Sequence, residues 1–374
     1  MVLTQRQCET MNMRNCLLAI LLLLSSPVLA FNIETIADGL EHPWAIAFLP
    51  DGRMLVSERA GRLRVIADGQ LLPDPVAEVP DSYVRSQGGL MDIALDPNHA
   101  VNGWIYLSLA YGDRRANATR VVRGRLTDMR WTDNQVVFTA EPTRNRPVHY
   151  GARMAFMTDG TLLVSVGDGF DDREQAQELD SHTGTIVRIH TDGSTPIDNP
   201  FIDHPNALPE IYSYGHRNPQ GLVVDQRTGL IWSHEHGPRG GDELNLIRPG
   251  ENYGWPIATH GIDYSGARIT PYTSRPGMVD PKIDWTPSIA PAGMSQYRGD
   301  LFTDWDGDLL VASLVEQSIR RIRLDGEQVL SDEIVPLDIG QRLRDVRVGP
   351  DGAIYILTDQ SDGRVLRVTP QAES

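Results

Sequence analysis

Short stretches of alternating apolar and polar residues follow one another along the chain, and turn residues separate them. The turn Asp51-Gly52, for example, precedes stretches of this kind at residues 54–57 and 61–66. Alternation over about four to eight residues is typical of β-strands with one buried face, and Asp-Gly favours a tight turn. Because no segment has a long helical period, the pattern predicts an all-β protein.

This unit of one turn and two strands occurs six times. Clear copies begin at Asp159-Gly160, Asp306-Gly307 and Asp351-Gly352, and looser copies occupy residues 104–123 and 229–247. Repetition of a short antiparallel unit is typical of β-propellers, in which each copy forms one blade.

Six units in residues 31–374 give about 57 residues each, slightly more than the roughly 40–50 of a propeller blade. We therefore expect the extra length in loops. The sequence predicts one domain over residues 31–374, a six-bladed β-propeller of four-stranded antiparallel blades, with residues 31–37 completing the last blade.

Residues 1–30 have the pattern of a secretory signal peptide. Met11-Asn12-Met13-Arg14 precedes an apolar run at residues 16–24, and the segment ends at Val28-Leu29-Ala30. The run is shorter than the roughly 20 apolar residues of a transmembrane helix. We expect cleavage after Ala30, a periplasmic or secreted mature protein and no membrane insertion.

Cysteine content and charge exclude several classes of function. Cys8 and Cys16 both precede Ala30, so the mature chain has no disulfide and no catalytic or metal-binding thiolate.

The leader carries a net charge of +1 from Arg6, Glu9 and Arg14, so its removal takes the formal charge from −16 to −17. A negative field disfavours nucleic acid and anionic membranes, whereas it suits calcium ions and neutral small molecules.

Chemistry is expected where the sequence departs from the repeat, because a propeller binds ligands through loops at one end of its channel. His149 precedes a predicted strand and is a candidate base. Asp168 follows one strand later, where it can return beside His149 and fix its tautomer. A surface histidine and a turn aspartate would give the same spacing, so the pattern alone leaves both interpretations open.

Two metal interpretations apply to residues 234–243. His234-Glu235-His236 places two histidines on one face of a strand, but no further zinc ligands have suitable spacing. Gly237-Pro238 followed by Gly240-Gly241-Asp242-Glu243 suits calcium better, because kinked backbone presents carbonyl oxygens and carboxylates add charge.

Three arginines from distant parts of the chain form a candidate anion site. Arg342 and Arg344 alternate and so face one side of a strand, and Arg217 belongs to another cluster that breaks the repeat. Together they would bind a polycarboxylate through forked hydrogen bonds. The alternative is that each is solvated or paired with a carboxylate.

Four segments resemble the soluble quinoprotein sugar dehydrogenases, and the bacterial aldose sugar dehydrogenases look closest. They are YGHRNPQG at residues 214–221, residues 235–245, NYGWP at residues 252–256, and residues 342–346. The similarity extends from residue 39 to the last blade. It implies oxidation of an aldose at C1 to the lactone, with dependence on pyrroloquinoline quinone (PQQ) and Ca²⁺ and an unidentified electron acceptor as partner.

The resemblance also implies roles for individual residues. His149 would remove the proton of the anomeric hydroxyl, Asp168 would orient His149, and Arg217 would stabilise negative charge on the quinone. The implied cofactor-binding residues are Arg217, Asn218, Trp285, Ser288, Arg342 and Arg344. Gln87, with His149 and Asp168, would contact the sugar. The implied calcium ligands are the carbonyls of Gly237 and Pro238 beside the cofactor, and Glu243 and Tyr253 at a second, structural site.

One position departs from the family pattern. The family has a lysine after Ser-Leu or Ala-Leu in the fifth blade, where this chain has Val315 after Ser313-Leu314. A cation that would face PQQ is therefore missing, and the loss would weaken or abolish cofactor binding.

Two other functions remain as alternatives. A calcium-dependent lactonase propeller would need carboxylate and asparagine ligands that converge from several blades, and a binding propeller would need no redox centre. The preferred sugar, the electron acceptor and the choice between monomer and dimer stay open at this stage.

Overall fold

The computed structural model describes residues 30–371, which form six four-stranded antiparallel sheets. The first strands of neighbouring sheets contact one another in a closed ring, so the sheets are the blades of a six-bladed propeller. This confirms the predicted fold class. Of the predicted signal peptide, residues 1–29 lie outside the described residues.

The strands run from the axis outward in chain order, except that β1 (Phe31–Leu40) is the outer strand of the sixth blade. The strands of blades one to three are β2 (Pro43–Phe48), β3 (Met54–Glu58), β4 (Arg62–Ala67), β5 (Gln70–Leu71), β6 (Leu90–Leu95), β7 (Ile105–Gly112), β8 (Asn117–Thr127), β9 (Arg130–Thr139), β10 (Met154–Phe156), β11 (Leu162–Val166), β12 (Thr185–Ile189) and β13 (Ile211–Tyr214).

The strands of blades four to six are β14 (Pro219–Val224), β15 (Ile231–Glu235), β16 (Asp242–Ile247), β17 (Ile283–Trp285), β18 (Pro291–Gln296), β19 (Leu309–Ser313), β20 (Ile319–Asp325), β21 (Gln328–Val335), β22 (Leu343–Val348), β23 (Ile354–Thr358) and β24 (Gly363–Pro370). The described residues also form one short helix, α1 (His99–Asn102), and 3₁₀ turns at Arg173–Gln177 and Thr303–Trp305. No helix within residues 30–371 is long and apolar enough to cross a membrane.

The six sequence units are the second and third strands of the blades, as in residues 54–57 and 61–66, which lie in β3 and β4. The extra length does lie in loops, and the longest of them, residues 248–282, joins β16 to β17.

The ring closes through the strand predicted at residues 31–37. β1 pairs with β24 from Phe31 opposite Pro370 to Leu40 opposite Gly363. The strand β1 thus completes the last blade, and backbone hydrogen bonds join the first and last strands of the described residues.

Four charged residues, Asp92, Arg153, Asp345 and Arg347, form an axial charge cluster. Arg153 Nη1 lies 3.2 Å from Asp92 Oδ1, and Arg153 Nη2 lies 3.2 Å from Asp345 Oδ1. Arg347 bridges the same two carboxylates at 3.2 and 3.3 Å. The cluster therefore consists of two buried aspartates that alternate with one buried arginine, Arg153, and one partly buried arginine, Arg347.

The axial charge cluster contacts the first strand of every blade. Its own members lie on β6 and β22 and beside β10, and the cluster also bonds backbone groups of Ile46 in β2, Gln220 in β14 and Met294 in β18. Gly293 makes room for it, because a Cβ there would lie 1.9 Å from Asp345 Oδ1. Burial raises the pKa of Asp345, and the charges of Arg347 and Arg153 oppose that rise.

We predict that Arg153→Met lowers the free energy of unfolding by about 3–5 kcal/mol, because it leaves two buried carboxylates short of a partner. Urea denaturation monitored by circular dichroism measures this. Arg53→Met is the matched control: Arg53 pairs with Asp51 at the surface, so its loss should cost less than about 1 kcal/mol. Equal effects of the two substitutions would contradict a stabilising role for the cluster.

Candidate active site

Most of the predicted site residues lie at one end of the propeller. They precede the first strand of a blade or follow its second strand, and in antiparallel blades these two positions meet at the same end. Two pockets open there. The axial cavity, of about 240 Å³, is lined by residues from all six blades: Trp44, Arg59, Gln87, Met91, Tyr150, Gly151, Asn218, Gln220, His236, Ala290, Leu314, Arg342, Arg344 and Asp359.

The second pocket contains His149, Asp168, Arg217 and Trp255. His149 Nδ1 lies 2.7 Å from Asp168 Oδ1, and both side chains are buried. Asp168 Oδ2 accepts a hydrogen bond from Trp255 Nε1 at 2.8 Å. Because a carboxylate at Nδ1 selects the tautomer that carries its proton there, Nε2 is left with a free lone pair as a base.

Burial lowers the pKa of His149 below its ordinary value, although the hydrogen bond to Asp168 acts in the opposite direction. For Asp168, burial acts to raise the pKa, but the hydrogen bond and charge of His149 outweigh it and the net shift is downward. At neutral pH the pair is therefore a neutral imidazole beside a carboxylate, which is the state that a general base needs.

The backbone of His149 is held on both sides in a strained conformation, with φ of 53°. Its N–H donates to Gln87 Oε1 at 2.8 Å, and its carbonyl accepts from Arg144 Nη2 at 2.9 Å. Gly167 permits this close approach, since a Cβ there would lie 2.1 Å from the His149 carbonyl oxygen. Gln87, predicted to contact substrate, thus positions His149 and also lines the axial cavity.

Arg217 sits beside this pair. Its Nη1 donates to the carbonyls of His236 and Gly237 at 2.8 Å each, and its guanidinium lies 5.3 Å from the Trp255 ring centre. Buried Glu235 accepts from the backbone N–H groups of Arg217 and Asn218. The start of the fourth blade is therefore fixed by a carboxylate at the end of β15.

Arg342, Arg344 and Asn218 line the axial cavity, whereas Arg217, the third arginine of the predicted anion site, lines the second pocket. Arg344 Nη2 donates to Asp359 Oδ2 at 2.8 Å, and Arg342 Nε lies 3.6 Å from the same oxygen. Burial acts to raise the pKa of Asp359, but Arg344 and a hydrogen bond from His42 hold it well below its usual range. Asp359 is consequently ionised and offsets one of the positive charges.

Trp285 and Ser288, the other two predicted cofactor residues, do not line the axial cavity. Trp285 packs in the core beside Trp232 and donates its indole N–H to Asp332. Ser288 donates to Asp242. Ala290, two residues further on, reaches the cavity instead, because the loop turns inward only where β18 begins.

The predicted calcium ligands lie in two places. Pro238 lines the second pocket, and the Gly237 carbonyl accepts from Arg217. Glu243 accepts a hydrogen bond from the Asn245 side chain. The Tyr253 hydroxyl donates to the Leu246 carbonyl and accepts from the Arg248 backbone N–H. Within residues 30–371, no three His, Cys, Asp or Glu side chains converge as a metal site, so any cation here needs backbone oxygens as well.

Sequence reasoning assigned no role to Trp255, Glu235 or Arg144. The signal for Trp255 was its place in NYGWP, a segment that breaks the repeat. Two exposed aromatic rings were also missed: Phe170 lies edge-on to His149 at 5.4 Å, and Tyr264 stacks beside Phe170 at 6.2 Å. Both rings line the second pocket and give its mouth an apolar wall.

Comparison with known proteins gives a consistent family assignment. The family model described as glucose/sorbosone dehydrogenase matches residues 40–367. The aldose sugar dehydrogenase YliI of Escherichia coli is 42% identical over 346 residues, which are 91% of this chain and 93% of the relative.

Two solved structures are also similar. The apo form of the soluble aldose sugar dehydrogenase from E. coli has a TM-score of 0.88 at 41% identity, covering 91% of this chain and 100% of the other. The PQQ-bound aldose sugar dehydrogenase from Streptomyces coelicolor has a TM-score of 0.74 at 28% identity, covering 91% and 99%.

We predict that His149 titrates below its ordinary pKa of about 6.5 and that Asp168→Asn lowers its pKa further, because the substitution removes the negative charge that favours the imidazolium. The Hε1 chemical shift of His149, followed by NMR against pH, measures both values. The signal that disappears in His149→Gln identifies the residue. A higher pKa in Asp168→Asn than in the native protein would contradict this electrostatic assignment.

Proposed function

The chain belongs to the glucose/sorbosone dehydrogenase family, and on that premise we propose that it is a PQQ- and Ca²⁺-dependent aldose sugar dehydrogenase that oxidises C1 to the lactone. The observation that carries this proposal is the juxtaposition of two features. A buried histidine base, His149, adjoins an axial cavity whose lining includes three arginines.

The axial cavity suits a planar polycarboxylate. Arg342 and Arg344 supply guanidinium groups, and Asn218 and Gln87 supply carboxamides. Forked hydrogen bonds from guanidinium to carboxylate are strong and directional. We therefore assign Arg342, Arg344 and Asn218 to cofactor binding, with Arg217 at the boundary between the cavity and the base. When bound, PQQ supplies a quinone that accepts the two electrons of a hydride.

The turn after β15 is the proposed calcium site beside the cofactor. The carbonyls of His236 and Gly237 both accept from Arg217, so this turn already presents its oxygens to a positive group. Oxygen ligands of this kind are those that Ca²⁺ prefers. Gly237 and Pro238 would supply carbonyl oxygens there.

A second, structural calcium site is proposed around Glu243 and Tyr253. Glu243 and Glu235 are both buried and share the amide of Asn245. Tyr253 stacks on His216, which in turn bonds Glu235. Two neighbouring buried carboxylates attract a cation, and the Tyr253 carbonyl would complete the oxygen ligands.

His149 performs the proton transfer. Oxidation of the C1 hydroxyl removes a proton from oxygen and a hydride from carbon, and the Nε2 lone pair accepts the proton. Asp168 stabilises the imidazolium that forms and keeps Nδ1 protonated throughout. Trp255 holds the other oxygen of Asp168, so the carboxylate cannot rotate away.

Arg217 provides electrostatic stabilisation. Arg217 is 4% exposed and lies in the same pocket as His149, so negative charge that develops near it meets a fixed, buried cation. Phe170 and Tyr264 form the apolar wall against which the face of a sugar ring would lie.

The proposed function also includes a cellular location and a redox partner. A cleaved leader of residues 1–30 would place the enzyme in the periplasm or outside the cell, where an unidentified electron acceptor would reoxidise the cofactor.

We predict that dye-linked oxidation of a panel of aldoses by the mature protein requires both PQQ and Ca²⁺. In His149→Ala, kcat/KM should fall by about 10²- to 10⁴-fold, because the general base is lost. His190→Ala is the matched control: His190 is exposed at the end of β12, away from both pockets, and its loss should leave the rate unchanged. Sugar oxidation that proceeds without PQQ, or that survives in His149→Ala, would refute the proposed mechanism.

A further inference from the structure

The positive charges of the axial cavity are distributed unevenly among the blades. Arg342 and Arg344 belong to the sixth blade, and the remaining arginine of the lining, Arg59, belongs to the first. Arg344 is paired with Asp359, and Arg342 donates to the Leu314 carbonyl at 3.4 Å. Each arginine of the sixth blade therefore has an intramolecular partner.

Arg59 differs from these two arginines. Within residues 30–371, its guanidinium has no hydrogen-bond or ion-pair partner, although the chain around it is rich in such pairs. Glu58, the preceding residue, is fully buried and binds Arg62 and Arg64 instead. Arg59 is half-buried and lines the cavity, so its charge is available to a ligand there.

The backbone of Arg59 is nevertheless fixed. Its N–H donates to the His42 carbonyl at 3.1 Å. Its carbonyl oxygen packs on Gly89, where a Cβ would lie only 1.9 Å away. Gly89 belongs to the loop that carries Gln87. The position of Arg59 is thus set by the same backbone contacts that shape the cavity wall, and a fixed backbone reduces the entropy lost when the side chain binds.

The blade repeat allows Arg59 to be compared with the residue at the equivalent position of another blade. It is the first residue after the second strand of its blade, and the equivalent residue of the fifth blade is Leu314. Leu314 lines the cavity without a charge, and Val315, which follows it, is 59% exposed. The fifth blade therefore contributes only Ala290 and Leu314 to the lining, both apolar.

We propose that Arg59 binds a carboxylate of the anionic cofactor, so that the first blade supplies the cation that the fifth blade lacks. Arg59, Arg342 and Arg344 then form one site of three guanidinium groups across two adjacent blades. Asp359 neutralises one charge, which leaves a net charge of about +2 for an anionic ligand. This inference rests on the proposed function, because PQQ is the ligand assigned to the cavity.

Equilibrium dialysis of the mature protein against PQQ, with CaCl₂ present and sugar absent, tests the proposal without reference to turnover. Arg59→Gln should raise the Kd for PQQ about tenfold or more, the scale of one charge-assisted hydrogen bond. It should also reduce the dependence of the Kd on salt concentration, because one ion pair is lost. Arg59→Lys, which keeps the charge, should bind more tightly than Arg59→Gln.

The matched control is Arg323→Gln. Arg323 is exposed on β20, has no ion-pair partner within the described residues and lies outside the cavity lining, so the substitution removes the same charge elsewhere. Its Kd should stay within about twofold of the native value. An Arg59→Gln variant that binds PQQ as tightly as Arg323→Gln overturns the inference. If the native protein itself does not bind PQQ, the proposed function fails instead, so the two failures are distinguishable.

Discussion

The axial charge cluster is the constraint on which the rest of the structure depends. Arg153 and Arg347 each bridge Asp92 and Asp345, and the cluster bonds the backbone of three further first strands. Buried ion pairs are stable only when every charge has its partners in good geometry. The cluster links the six first strands around the axis, and the loops that precede these strands come from distant parts of the chain and meet at the end where the site lies.

Two residues of the site have backbone conformations that are unfavourable for residues with a side chain. His149 and Phe170 have positive φ values of 53° and 75°, which cost energy for residues with a side chain. Surrounding contacts hold them there: Gln87 and Arg144 bond the backbone of His149, and the Phe170 N–H donates to Asp168. Asp168 thus holds both the His149 ring and the Phe170 backbone, and its third donor is Trp255.

The sequence predicted the blades well, because the alternation of apolar and polar residues is a local property of each strand. It also indicated the clusters that break the repeat, and His149, Asp168 and Arg217 do come together in one pocket. Trp285 and Ser288 show the limit of such reasoning, because only the three-dimensional path of the loop between β17 and β18 decides which residue reaches the cavity. Glu235 and Arg59 show another limit, since their neighbours come from other strands or other blades.

The most direct test of the account is the absorption spectrum of the protein loaded with PQQ and Ca²⁺, recorded without oxygen on mixing with an aldose. The account predicts that the quinone spectrum changes to that of the reduced cofactor. The change should be slower when C1 carries deuterium, because the hydride leaves from that carbon. A spectrum that stays unchanged in the presence of every aldose tested would contradict the central claim.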